Sequence, residues 1–150
     1  MVTQVTLKNV NVINVEQDFK MIGTPESLYF YVKSKHIKQL LNEISEFENL
    51  KSNWDGYGGS KISKGVRENA ISFIKYVPKT YWDVVEDIDI LPNPNSTITI
   101  YIWLKNKHTI EADIGINTMS VIIDIDGMYK GFSKVKINNN HIETIFKLSL

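Results

Sequence analysis

Positions 97 to 104 alternate without a break: Ile98, Ile100, Ile102 and Leu104 fall on one side, Thr97, Thr99, Tyr101 and Trp103 on the other. A period of two over that length predicts a β-strand with one buried face. The pattern returns in Ile110, Ala112 and Ile114 against Thr109, Glu111 and Asp113. It returns again in Met119, Val121, Ile123 and Ile125 against Ser120 and Asp124. Turn-forming residues separate these runs: Pro92-Asn93-Pro94-Asn95, Lys105-Asn106-Lys107, Gly115 to Thr118, and the hairpin signal Asp126-Gly127. A strand over Asp87–Leu91 precedes the series and another over Met128–Ile137 follows it. Short turns between strands imply an antiparallel meander, here of four or five strands over residues 86–137.

Elsewhere the period changes. Ile37, Leu40, Leu41, Ile44, Phe47 and Leu50 recur at steps of three and four, with Glu43, Glu46 and Glu48 between them, which predicts an amphipathic helix capped by Ser34. Val66, Ala70, Phe73, Ile74 and Val77 repeat the spacing, with Ser63 as cap and Pro78 as terminator. Residues 34–78 therefore read as a helical hairpin. Ile142, Ile145 and Phe146 form the stripe of a short last helix over 140–148, with Asn140 and Glu143 spaced as a capping box. The first 32 residues read as a β-rich extension, with Val5 to Leu7, Val10 to Val15 and Leu28 to Val32 as strands and a loop over Gln17–Ser27. The expected fold is a single α+β domain: a helix pair packed on the aliphatic face of an antiparallel sheet.

Between the hairpin helices lies Asn53-Trp54-Asp55-Gly56-Tyr57-Gly58-Gly59-Ser60-Lys61-Ile62-Ser63, which holds three of the eight glycines together with a tryptophan and a tyrosine. Aromatics among glycines suit a loop that either packs back on the body or presents a surface to a ligand. Leu50 to Gly59, together with Pro92 to Ile98 leading into the strand of Trp103, resembles a widespread group of small uncharacterised bacterial and phage proteins. Their shared pattern is a Trp-Asp-Gly-Tyr-Gly-Ala type loop between two helices, followed by an antiparallel sheet. The similarity covers about residues 37–125; Gly59 stands where alanine is usual, and Lys61 where proline is usual. It implies the architecture already derived. The group has no established activity to carry over.

Composition narrows the chemistry. Seventeen basic and seventeen acidic residues cancel, so the basic excess of a nucleic-acid binder is missing, and Lys130, Lys134 and Lys136 read as solubilising residues near an edge. No cysteine is present, which removes thiol catalysis and zinc-thiolate sites. No apolar run reaches the roughly 18 residues of a membrane helix. The alternating first residues do not resemble a secretory signal, so a cytoplasmic location is expected. At 150 residues the chain is long enough to bury roughly 70% of its unfolded surface.

Catalytic spacings are absent. His36, His108 and His141 stand apart, no Gly-x-Ser-x-Gly or phosphate-loop motif occurs, and Asp124-Ile-Asp126-Gly127 only partly echoes a calcium loop. Asp83, Glu86, Asp87, Asp89, Asp113, Asp124 and Asp126 read as acids that solvate strand ends. No cofactor or metal is expected. The reading leans to a non-enzymatic binding protein, an inhibitor or regulator of phage or mobile-element type. It would engage another protein, or a second copy of itself, through Trp54, Asp55, Gly56, Tyr57, Gly58, Gly59, Tyr101 and Trp103. Two other readings stand beside it: a nucleotide-like anion held at Gly56–Ser63 and stacked on Trp54 or Tyr57, and a hydrolase using Asp55 as general base.

Overall fold

Five strands form one antiparallel sheet in sequence order: β1 (Val85–Pro92), β2 (Ile98–Leu104), β3 (Thr109–Ile114), β4 (Met119–Ile125) and β5 (Met128–Val135). The computed structural model describes residues 25–150, with side chains from His36 onward. The strand-like runs at Val5 to Leu7 and Val10 to Val15, and most of the loop expected over Gln17–Ser27, lie outside the described residues. Leu40–Leu150 makes up one compact unit and the residues up to Gln39 another. Three α-helices are described: α1 (Pro25–Glu46), α2 (Lys64–Tyr76) and α3 (Asn139–Ser149).

The register puts the aliphatic residues in continuous cross-strand rows. Ile90, Ile100, Ala112 and Val121 form one such row, and Ile88, Ile102, Ile110 and Ile123 the next. All of these positions are buried. Helix α2 lies over β2 and β3, α3 lies over β4, and the two helices touch. Phe73 and Ile74 of α2 and Ile142 and Phe146 of α3 are fully buried, so the sheet's apolar face meets an apolar helix layer. Leu40 and Ile44 in the last turns of α1 are buried as well.

Local signals account for most boundaries. The Ser63 hydroxyl accepts the Val66 N–H at 3.3 Å, capping α2. Helix α2 stops at Tyr76, two residues before Pro78, which cannot continue the ladder. At the β4–β5 hairpin, Asp126 and Gly127 both take positive φ, as a two-residue primed turn requires.

Three expectations are corrected. Leu28 to Val32 is helical, inside α1, and Pro25 occupies the first helical position, where its missing N–H costs nothing. Ser34 therefore lies within the helix and does not cap it. A five-residue apolar run carries no period of its own, so the surrounding helix decides its state. The last helix is capped by Asn138 instead of Asn140: the Asn138 side-chain oxygen accepts the His141 N–H at 2.9 Å. Glu143 pairs instead with Lys147 at 2.8 Å along the helix face.

The turn before β2 is locked by Asn93. Its side-chain amide lies 2.9 Å from Thr97 Oγ1, 2.7 Å from Thr99 Oγ1 and 3.2 Å from Asp113 Oδ1, joining the turn to β3. Replacing Asn93 by Ala leaves the buried Thr99 hydroxyl and the Asp113 carboxylate without this donor. A loss of about 1–3 kcal/mol in urea unfolding is expected, and a loss below ~0.5 kcal/mol, the size of an ordinary surface change, would show the network to be incidental.

Candidate functional site

The opposite face of the sheet has a different chemistry. Tyr101 pairs in register with Asp89 on one side and Glu111 on the other. Trp103 pairs with Asp87 and with Thr109, and Thr109 in turn with Asp124. The two aromatic rings stack along the strand, 5.9 Å between centroids and 25° between planes. Both are half-buried, as expected for rings lying on a sheet instead of under a helix. β1 to β4 contain no lysine or arginine at all, so this face sets carboxylates around an aromatic pair with no cation supplied by those strands.

Two shifts record that environment. Burial above all, then the charges of Asp89 and Glu46, hold the Glu43 carboxyl above its ordinary range. The Tyr101 phenol is likewise pushed up, first by burial and then by hydrogen bonding and charge from Glu111. In both, burial is the larger cause and neighbouring carboxylates add to it.

The glycine-aromatic connector is built as a self-closing clasp. Asp55 Oδ1 accepts the Tyr57 N–H at 2.9 Å and the Gly59 N–H at 2.8 Å. Asn53 takes the Gly58 N–H on its side-chain oxygen at 2.7 Å and the Gly56 N–H on its carbonyl at 3.1 Å. The Ser60 N–H reaches Pro94 O at 2.7 Å. Every backbone donor from Gly56 to Ser60 is thus satisfied by the protein itself. A phosphate approaching this loop meets amides already engaged, two of them by the Asp55 carboxylate. Gly56 and Gly58 adopt φ of +77° and +90°, values that L side chains rarely adopt. Gly59 is required for space: a Cβ there would lie 2.8 Å from the Asp55 carboxyl carbon.

Trp54 is half-buried and donates its ring N–H to Ser60 O at 3.0 Å, so it pins the clasp. Tyr57 behaves differently and is 95% exposed. Among the connector residues named from the sequence, then, Trp54, Asp55 and the glycines come together to shape the loop, and Tyr57 alone presents a free aromatic surface. The loop is fastened to the β1–β2 turn by the Ser60–Pro94 bond and by Ser96 Oγ donating to Lys61 O at 2.8 Å. Tyr101 and Trp103 lie three and five residues beyond Ile98, roughly 10 and 17 Å along β2 at strand rise.

No protein-family model, no curated protein and no solved structure matches this chain.

Among the described residues the remaining titratable groups form no constellation. Asp124 Oδ1 accepts the Gly127 N–H at 2.7 Å and so shapes the hairpin instead of opening a calcium loop. His108 Nδ1 lies 2.6 Å from Ser149 O and His141 Nδ1 2.9 Å from Lys136 O, each serving its own local junction. Among the described residues no group of three or more His, Asp or Glu is arranged to hold a metal ion. No helix among them is long and apolar enough to cross a membrane.

Reading Asp89 as strand-end solvation missed one arrangement. Asp89, and Glu111 from the polar side of the return strand, sit within their strands and directly flank Tyr101. The signal was available in the alternation of β1 and β3 and in the missing lysines, but it becomes a site only once the register aligns the three strands.

The two amide bonds to Asp55, with that from Tyr57 the stronger influence, lower its carboxyl below the ordinary value. A carboxylate held in this way is a poorer proton acceptor than a free one. A group whose folded pKa is depressed stabilises the fold above its unfolded pKa, about 3.9, and loses that contribution as pH falls through the folded value. Asp55→Asn should therefore melt lower than the parent at neutral pH, with the gap closing below about pH 4. Thermal melts across this range check it; a gap independent of pH would mean that charge at Asp55 plays no part.

Proposed function

We propose that this chain is a small, non-enzymatic cytoplasmic protein-binding module, acting as a regulator or inhibitor. Its open sheet face holds a lysine- or arginine-bearing segment of a partner protein. The observation that carries the reading is the stacked Tyr101–Trp103 pair, bracketed in register by Asp87, Asp89 and Glu111 on strands devoid of basic residues. An aromatic face attracts a cation through its quadrupole, by about 0.5–1 kcal/mol at an exposed site and more where water is excluded. Adjacent carboxylates add direct attraction and fork-like hydrogen bonding suited to guanidinium. A flat face also suits a peptide segment better than a small molecule, which requires concavity.

The test is a titration of the full chain, followed by tryptophan fluorescence, with an arginine-rich peptide, a lysine-rich peptide and an acidic peptide of equal length. Basic peptides should bind, arginine more tightly than lysine, and the affinity should fall as salt is raised. Equal response to the acidic peptide, or none to any, overturns the proposal.

A further inference from the structure

A second surface has the opposite chemistry. β5 is an edge strand: it pairs with β4, and no strand among the described residues pairs with its other edge. Its residues from Met128 to Lys134 are all exposed, among them Met128 at 67%, Tyr129 at 73% and Phe132 at 38%. Beside it, Phe132 and Val135 face Ile145 and Leu148 of α3 across an open groove of about 520 Å³, bordered by Lys134 and His141.

Lysines on an edge ordinarily guard against unwanted pairing, and so do bulges. Both are present. Val121 pairs with Phe132 but Met119 with Val135, so β5 carries an extra residue, and Lys134 takes φ +56° there. A guard alone does not account for Met, Tyr and Phe displayed along the same edge. Lysine also guards selectively. No acid occurs from Met128 to His141, and Lys130, Lys134 and Lys136 make no ion pair among the described residues. Two copies meeting β5 to β5 would bring like charges together without compensation, whereas a strand carrying carboxylates would neutralise them.

We infer that the β5 edge and the adjoining α3 groove receive an extended segment of a partner protein that carries acidic and apolar side chains on the same face. The segment adds a sixth strand along the regular stretch Met128–Phe132. Its backbone pairs with this edge; Met128, Lys130 and Phe132 stand on the sheet face of Ile125, Ile123 and Val121, so on that one face a carboxylate lies by Lys130 and apolar side chains lie by Met128 and enter the groove over Phe132 and Leu148. This surface is independent of the aromatic face, which would repel such a segment.

The experiment uses the full chain labelled with ¹⁵N and the synthetic eight-residue peptide Val-Thr-Glu-Thr-Val-Thr-Glu-Thr, in which Val and Glu share one face (the Val–Glu peptide). Controls are a Val–Lys peptide and a single-stranded oligonucleotide. The Val–Glu peptide should slow hydrogen exchange of the β5 amides and shift the signals of Phe132 and Leu148. K130E/K134E, a surface change, should weaken it by about tenfold or more and create binding of the Val–Lys peptide. No protection of β5, equal binding of the Val–Lys peptide to the parent chain, or perturbation only by the oligonucleotide overturns the inference. So does concentration-dependent self-association through β5 seen by sedimentation.

Discussion

Phe73→Ala will lower the free energy of unfolding by about 3–5 kcal/mol, the cost of removing a fully packed aromatic ring. Phe73 has no exposed surface and belongs to the helix lying over β2 and β3. The loss combines the transfer energy of the ring with the cavity it leaves, because the isoleucine rows beneath α2 are held by sheet register and cannot close in. Against a total stability of about 5–15 kcal/mol, this removes a large fraction of the whole. Urea unfolding should show a much lower midpoint with an unchanged slope. Tyr76→Ala in the same helix, at a residue 36% exposed, is the control and should cost far less. Equal losses for the two variants would mean that α2 does not cover the sheet as described.

The second large effect concerns binding. Tyr101→Ala with Trp103→Ala should weaken a basic peptide by about tenfold to a hundredfold, since stacking and cation–π terms together amount to roughly 1–3 kcal/mol. Phenylalanine at both positions retains the ring faces and should retain most of the affinity. Asp87→Asn, Asp89→Asn and Glu111→Gln, combined, should weaken binding and flatten its dependence on salt, because they remove charge while leaving shape unchanged. Far-ultraviolet dichroism and melting curves distinguish loss of the site from loss of the fold. If the double alanine variant folds normally and binds basic peptide as tightly as the parent, the aromatic face is not the recognition surface.

Much of the architecture was legible before any coordinates. The alternation from Ile98 to Leu104, the turn residues around Pro94 and the Asp126-Gly127 pair specify strands and reversals within a few residues of themselves. The observed meander follows them closely. Ser63 and Pro78 marked the ends of α2 for the same reason: capping and proline restriction act over one helical turn. Legibility failed where a segment lacked a period, as at Leu28 to Val32, and where adjacent residues competed for one role, as at Asn138 and Asn140.

The candidate sites were less legible. Trp54, Asp55 and Gly59 stood out as a cluster, yet their clasp became visible only with the Tyr57 and Gly59 amides aimed at one carboxylate oxygen. Tyr101 and Trp103 were marked by alternation alone, whereas their acidic surround depends on strands up to about twenty residues distant in the chain.

By itself the sequence determined what local forces control: the helix periods, the strand periods, the turns and the amphipathic division of each strand. Tertiary structure alone decided that α3 shares with α2 the cover of the apolar face. It decided also that acids from β1 and β3 flank two rings on β2, and that a lysine-bearing strand is left at the edge. Those outcomes rest on register and on which helix reaches which strand. A one-residue slip would send every side chain to the other face, and no short window of the chain contains that information.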